Sequence, residues 1–435
     1  MEYSDIVEEK AFKTSEELLK EISLTGKYEF LMNNYLFRGQ SNSEYKLIPS
    51  SLRENSFKKI FPERTLEDYA VKEVHENLQK NKEYEILCSF YEEADKRGLQ
   101  VPIEETIRNT ILCRISGSRD IIDNPEEQEW ISKNFEEISA LAQHYGIPTR
   151  LLDWSRDVYT ALYFAASDSL NSLENKEKKE NKISLWAFNL KGIMDINAEI
   201  ERTNLEIEEK NSNRIKYNSD DDNEKVTFLK FLLDLTEKLN KQVNTCPSEV
   251  VEVYDEIRKY NLEIEEYNSK IKEGKMTLRY KQYPIPIKVI IPPYYPNPNL
   301  QAQLGVLTYQ KTKWQKGSEA QLMYKYTKYA KKSLKKIIEE RLSLDSLIHN
   351  CIKSIEFSEE FLKNNKIFSK DEKANKIFFK FTLPIFEAPK LLEKLHKIGY
   401  DGASLFPGYY GIRNKIEEKL KIEIIGQSNL EKEDK

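Results

Sequence analysis

A chain of 435 residues is long enough for two or three compact units, or for one core that carries large insertions. Its 39% hydrophobic and 32% charged residues fit a globular protein with much solvated helix surface. The net charge of -5 argues against a surface that coats nucleic acid, and against anionic membranes as partners.

No run of about 18 apolar residues is present to form a membrane-spanning helix. Met1 to Asp5 carry neither the basic nor the apolar part of a secretory signal. Cys88, Cys113, Cys246 and Cys351 share no C-x-x-C spacing and read as reduced thiols, so the expected location is the cytoplasm.

Taken in chain order, 16–22 has amphipathic helical spacing, and Thr65-Leu66-Glu67-Asp68 resembles a capping box that opens a helix toward Lys80. Segments 84–96 and 103–115 follow at helical spacing, the first stopped by Gly98. Over 126–144, Trp130, Phe135, Ile138, Leu141 and Ala142 form one apolar stripe, and Gly146 is suited to ending that helix. Beyond a connection, Val158, Ala161, Leu162 and Ala165 predict a buried helix over 156–170 whose N-terminus faces Asp153-Trp154-Ser155. Such a terminus attracts anions. The charged run 174–182 is a solvated loop, and strands are predicted at 183–188, 287–291, 305–308 and 377–383, with a helix after the last over 389–398.

Two segments interrupt this pattern. Residues 195–281 are rich in Glu, Lys and Asn, and Val250, Ile257, Ile264 and Ile271 recur at heptad spacing, with Val253, Tyr260 and Tyr267 at the complementary positions. A preceding helix holding Phe228, Leu232, Leu235 and Leu239 joins them through a turn ending at Pro247, which suits a helix start. The expected object is a helical hairpin, either a scaffold arm whose apolar faces cover each other or an arm for self-association or a protein partner. Residues 311–373 form a second, basic helical insertion with cations from Lys325 to Lys336, a solvated face or a contact for a phosphate-rich partner. The plan is therefore an α+β fold with a central mixed sheet and flanking helices. Its core comprises 1–194, 282–310 and 374–435, interrupted at 195–281 and 311–373.

The most informative stretch runs Gln143-His144-Tyr145-Gly146-Ile147-Pro148-Thr149-Arg150, then Leu151-Leu152-Asp153-Trp154-Ser155-Arg156. An ordinary connection needs only turn residues, so this one is a candidate site. A second segment, Tyr35-Leu36-Phe37-Arg38-Gly39-Gln40, sets one arginine at the end of an apolar run. With Ala403-Ser404-Leu405-Phe406-Pro407-Gly408, these residues resemble the FRG domain family, named for its Phe-Arg-Gly triplet.

No G-x-G-x-x-G or P-loop element occurs, and His75, His144, His349 and His396 lack metal-ligand spacing, so no metal is expected. The order of an arginine, a hydroxyl-bearing turn and then Gln301-Ala302-Gln303 is similar, at a distance, to ADP-ribosyltransferases of the arginine, serine, glutamate type. That resemblance implies Arg38 as the grip on phosphate or ribose, Ser155 or Thr149 as the hydroxyl, and Gln303 where the family has its catalytic carboxylate. The chemistry asks for such groups because cleaving a nicotinamide glycosidic bond develops an oxocarbenium-like ribose. Gln303 hydrogen-bonds but brings no negative charge, and Glu319 or Glu356 would have to reach in from elsewhere.

The candidate catalytic set is Arg38, Ser155 and Gln303; the candidate ligand-binding set is Phe37, Gly39, Gln143, His144, Tyr145, Thr149, Arg150, Asp153 and Trp154. Structural readings stand beside these: Arg38 paired with Asp153, Gln143 and His144 capping a helix end, and Trp154 in the core. Competition of Arg38, Arg150 and Arg156 for Asp153 and Asp157 leaves a guanidinium for an anionic ligand. Two functions follow. One is an ADP-ribosyltransferase or NAD-cleaving effector in bacterial conflict with NAD as substrate. The other is a non-enzymatic ligand- or partner-binding module in phage defence.

Overall fold

The computed structural model describes residues 3–53, 56, 73–103, 105, 107–109, 112, 129–174, 181–212, 287–294, 297–310, 312–313, 343–354 and 376–433. The heptad segment 250–271 and its preceding helix, the basic run 325–336, the capping box at 65–68, Cys113, Cys246, Glu319 and Glu356 lie outside the described residues.

A seven-stranded sheet organises the fold. In chain order its strands are β1 (Val7–Ala11), β2 (Tyr35–Gln40), β4 (Leu152–Ser155), β5 (Lys182–Asn189), β6 (Lys288–Ile290), β7 (Gly305–Tyr309) and β9 (Phe378–Pro384). Their spatial order is β1-β9-β5-β2-β4-β7-β6, while β3 (Glu129–Trp130) and β8 (Thr312–Lys313) form a separate ribbon. β1 and β9 are parallel and the remaining pairs antiparallel, so the sheet is mixed, as the sequence pattern anticipates.

The helices that position the site are α1 (Ser15–Ile22), α2 (Glu73–Lys96), α3 (Glu136–His144), α4 (Val158–Glu174), α5 (Leu190–Ser212), α6 (Leu344–Ser354), α7 (Ala388–Lys397) and α8 (Tyr409–Glu433). Because side chains alternate across a strand, β2 feeds two apolar layers. Tyr35 and Phe37 pack with Val158, Ala161, Leu162 and Ala165 of α4, whereas Leu36 joins Trp154, Trp186, Phe188 and the α5 residues Ile193, Ile196 and Ile200. Each large apolar side chain buried this way contributes about 1.5–3 kcal/mol. A third cluster joins Tyr84, Leu87 and Tyr91 of α2 to Phe135, to Ile138 and Leu141 of α3, and to Leu307 and Tyr309 of β7.

One glycine sets the approach of helix to sheet. A Cβ at Gly39 would lie 1.8 Å from the carbonyl oxygen of Ala161, so only glycine lets α4 settle against β2.

Several local readings change. Segment 152–155, read as a turn, is a strand, because Asp153 and Ser155 alternate with the buried Leu152 and Trp154 between β2 and β7. Strand β1 lacked enough apolar residues to stand out as a strand, yet it pairs with β9 over five residues. The helix expected over 126–144 starts only at Glu136, since Trp130 sits in β3 and 133–135 is a 3-10 turn. Helix α4 begins at Val158 rather than 156, capped by Asp157, whose Oδ2 accepts from the Thr160 amide at 2.8 Å. The segment boundary at 194–195 falls inside α5, whose buried isoleucines belong to the core, and α6 likewise buries Leu344, Ile348 and Ile352 there. No helix among the described residues is long and apolar enough to cross a membrane.

Candidate functional site

The site forms where two neighbouring strands part. β4 pairs with β7 over four residues but shares only one pair with β2, Phe37 with Ser155. Arg38 comes next along β2, and its Nη1 donates to the Asp153 carbonyl oxygen at 2.7 Å. The guanidinium thus supplies the donor that a continued ladder would have provided. The same Nη1 lies 3.9 Å from Asp153 Oδ2, a carboxylate side chain 56% exposed and therefore open to a ligand.

Asp153 is held from its other side. Gln143 Nε2 donates to Asp153 Oδ1, and the Thr149 hydroxyl donates to Gln143 Oε1. Gly146, at φ +83, ends α3 in the left-handed conformation and releases the chain into the Pro148-Thr149-Arg150 bend. That bend is pinned to the segment after β2: the Thr149 amide donates to Ser50 Oγ at 3.0 Å and the Ser51 amide to the Thr149 carbonyl at 3.0 Å. From α2, Gln79 reaches the Ser51 carbonyl at 3.0 Å.

Four charged groups, Arg38, Arg53, Asp153 and Asp168, influence one another here. Burial, with Arg53 adding repulsion, pulls the Arg38 pKa down to about 10, opposed by Asp153 and Asp168. It remains a cation at neutral pH, and its buried Nε has no hydrogen-bond partner. Arg53 is also lowered by burial, opposed first by Asp153, while its Nε donates to the Ile48 carbonyl at 2.9 Å. Asp168 on α4 is pushed up to about 6, chiefly by burial, with Arg38 opposing and Glu418 adding. Arg53 and Asp168 keep exposed surface, yet the protein around them desolvates their charges. His144 is lowered by burial against the pull of Asp153, its Nε2 is buried without a partner, and it is neutral at physiological pH. Among the described residues no group of three or more His, Cys, Asp or Glu could hold a metal ion.

The structure brings Arg38, Asp153, Gln143, Thr149 and His144 together. Elsewhere the candidate residues serve the fold. Phe37 is 1% exposed within the core, and Gly39 lies beneath α4. Trp154 is buried, its indole N–H donating to Thr308 Oγ1 at 2.8 Å and its ring 5.2 Å from that of Phe188. Arg150, 4% exposed, forms a buried ion pair with Glu83 at 2.7 Å, to which Trp130 also donates, so its charge is directed into the core. Tyr145 is 67% exposed and leans toward Phe90 on α2. Arg156 reaches Tyr294 at 3.2 Å.

Ser155 and Gln303 do meet, through main-chain bonds. Ser155 Oγ donates to the Gln303 carbonyl at 2.7 Å and accepts from the Asp157 amide at 2.9 Å, while the Gln303 side chain donates to the Leu405 carbonyl at 3.1 Å. This contact joins the Gln301-Gln303 segment to the Ala403–Gly408 motif; it is a fastening of the strand entry.

Arg53 and Asp168 escaped the sequence reading. Arg53 follows an irregular segment without periodicity, and Asp168 interrupts a helix that the pattern marks as buried, its only signal.

No curated protein and no solved structure matches the chain. The FRG domain family model matches residues 33–174, an interval that opens just before β2 and closes at the end of α4. Arg38, the 143–155 bend and Asp168 all lie within this interval, which is similar to an FRG domain.

Proposed function

We propose that the Arg38 cleft binds an anionic, nucleotide-type ligand, with NAD or an ADP-ribose-like molecule as the leading candidate. The observation that carries this reading is the buried, unpartnered Nε of Arg38 beside a second arginine, with Asp153 as the adjoining acid. A guanidinium edge in a water-poor recess favours phosphate because each charge-assisted hydrogen bond is stronger there than in water. Asp153, ordered by Gln143, offers acceptor oxygens to ribose hydroxyls.

The binding reading comes first because Ser155 and Gln303 are both engaged with main chain. A second, enzymatic reading rests on Asp153 instead. Its open carboxylate would stabilise the positive ribose as the nicotinamide bond breaks, with water adding to give nicotinamide, ADP-ribose and a proton. An acceptor nucleophile in place of water would give transfer. Either activity suits an effector in bacterial conflict or phage defence, since a shared cofactor is consumed or sensed.

The test is calorimetric titration of the purified chain with NAD and ADP-ribose, alongside an assay for released nicotinamide. Binding that Arg38→Ala weakens at least about tenfold supports this reading, and nicotinamide release sensitive to Asp153→Asn supports the enzymatic one. Absence of binding to either ligand at millimolar concentration overturns both.

A further inference from the structure

We propose that Thr149 and Gln143 form a hydrogen-bonded relay that turns Asp153 into a fixed acceptor beside Arg38, so that the site selects an anion carrying a neighbouring hydroxyl over an anion alone. This rests on the site binding an anionic, nucleotide-type ligand at all, and goes further by naming the two residues that set its specificity.

The direction of the relay is imposed by main chain. The Leu151 amide donates to Thr149 Oγ1 at 3.2 Å, and an amide N–H can only donate. The threonine hydroxyl therefore keeps its proton for Gln143 Oε1, to which it donates. With that oxygen engaged, the other end of the carboxamide, Nε2, faces Asp153 and donates to Oδ1. Turning the amide over would set two oxygen acceptors against each other at Asp153 and leave the threonine proton unused. The start of the relay is also fixed in place: Thr149 is 3% exposed, and its amide and carbonyl are both bound by the 50–51 segment.

What the relay leaves open is one edge of one carboxylate. Asp153 Oδ2 is 3.9 Å from Arg38 Nη1, too far for a direct hydrogen bond, and among the described residues nothing donates to it. The Arg38 guanidinium is held in turn by its bond to the Asp153 carbonyl. A cationic donor and an anionic acceptor thus stand side by side in fixed positions, and a ligand that meets both must bring an oxyanion and a hydroxyl close together. A sugar phosphate does so. Inorganic pyrophosphate brings mainly acceptors and meets repulsion at Oδ2.

Titration calorimetry of the full chain with ADP-ribose and inorganic pyrophosphate tests this, and wild type is expected to bind ADP-ribose the more tightly. Thr149→Val should lower the ratio of the two affinities about tenfold, the worth of one hydrogen bond to a charged group, and Thr149→Ser should restore it. The adenine contribution is common to wild type and variant, so it cancels in that comparison. Gln143→Met, which removes the donor to Asp153, serves as a second variant in case valine perturbs folding, and melting curves establish integrity. Asp153→Asn adds a change of sign. With its Oδ1 still held by Gln143, its Nδ2 turns toward the ligand, so pyrophosphate should bind about tenfold more tightly than to wild type, and adding Thr149→Val should erase the gain. If folded Thr149 and Gln143 variants keep the wild-type ratio, or the Asp153→Asn gain is absent or persists without the Thr149 hydroxyl, the inference is overturned even though Arg38→Ala still weakens binding. If wild type binds neither ligand, the reading of the site itself goes with it.

Discussion

Arg38 Nη1 hydrogen-bonds the main-chain oxygen of Asp153 at 2.7 Å, one residue beyond the last pair that joins β2 to β4. A side chain thereby finishes a sheet where the backbone stops, and keeps its Nε edge for something else. Replacing Arg38 by alanine should reduce affinity for a phosphate ligand roughly 10- to 100-fold, the equivalent of a charged hydrogen bond of about 1.5–3 kcal/mol. Lysine should rescue little, because one ammonium lacks the forked donors needed to hold Asp153 and a ligand together. Calorimetry on folded variants checks both outcomes.

Gly39→Ala places a methyl group where the Ala161 carbonyl already stands. Helix α4 must move away from β2, at a cost of about 3 kcal/mol. The expected observation is a lower melting temperature with loss of ligand binding, since Arg38 adjoins the displaced position.

Arg150→Met should separate stability from binding. It strands Glu83 in the core, which costs about 3–5 kcal/mol in urea unfolding, while changing ligand affinity little in the folded fraction. Arg150→Met combined with Glu83→Leu should recover part of the loss, although Trp130 then loses its acceptor.

Asp168 makes the pH dependence of the cleft predictable. Its folded pKa is raised to about 6, above the value of an unfolded aspartate, so the folded state binds the proton more tightly. The carboxyl therefore disfavours the fold at neutral pH, and this effect fades as pH falls through 6 toward 4. Asp168→Asn should melt higher than wild type at pH 7.5, with the difference vanishing near pH 4. Neutralising this acid near Arg38 should also tighten anion binding in wild type below about pH 6, and the variant should lack that rise.

Ser155→Ala tests whether the serine is a fastening or a ligand group. Losing its bonds to the Gln303 carbonyl and the Asp157 amide should lower stability by about 1 kcal/mol and leave nucleotide affinity unchanged. A large drop in affinity without a change in melting would return Ser155 to the binding site.

Much of the architecture was legible beforehand. The apolar runs at 183–188 and 377–383 became the adjacent strands β5 and β9, and Gly98 and Gly146 stop helices at φ +68 and +83. The Phe-Arg-Gly triplet and the 143–155 bend marked where the chain needed more than packing, and Arg38 and Asp153 do adjoin. Charge identity was harder. Arg150 and Arg38 look alike in sequence, yet one faces Glu83 inside the core and the other lines a cleft.

Periodicity and turn chemistry are local properties, so the sequence alone determined the mixed α+β plan, the glycine stops after two helices and the segments that matter. Tertiary structure alone decided which guanidinium kept an unpartnered edge and which carboxylates stood beside it. Those outcomes depend on contacts between residues more than a hundred positions apart, such as Arg38 with Asp153, and on the desolvation that only the assembled fold imposes.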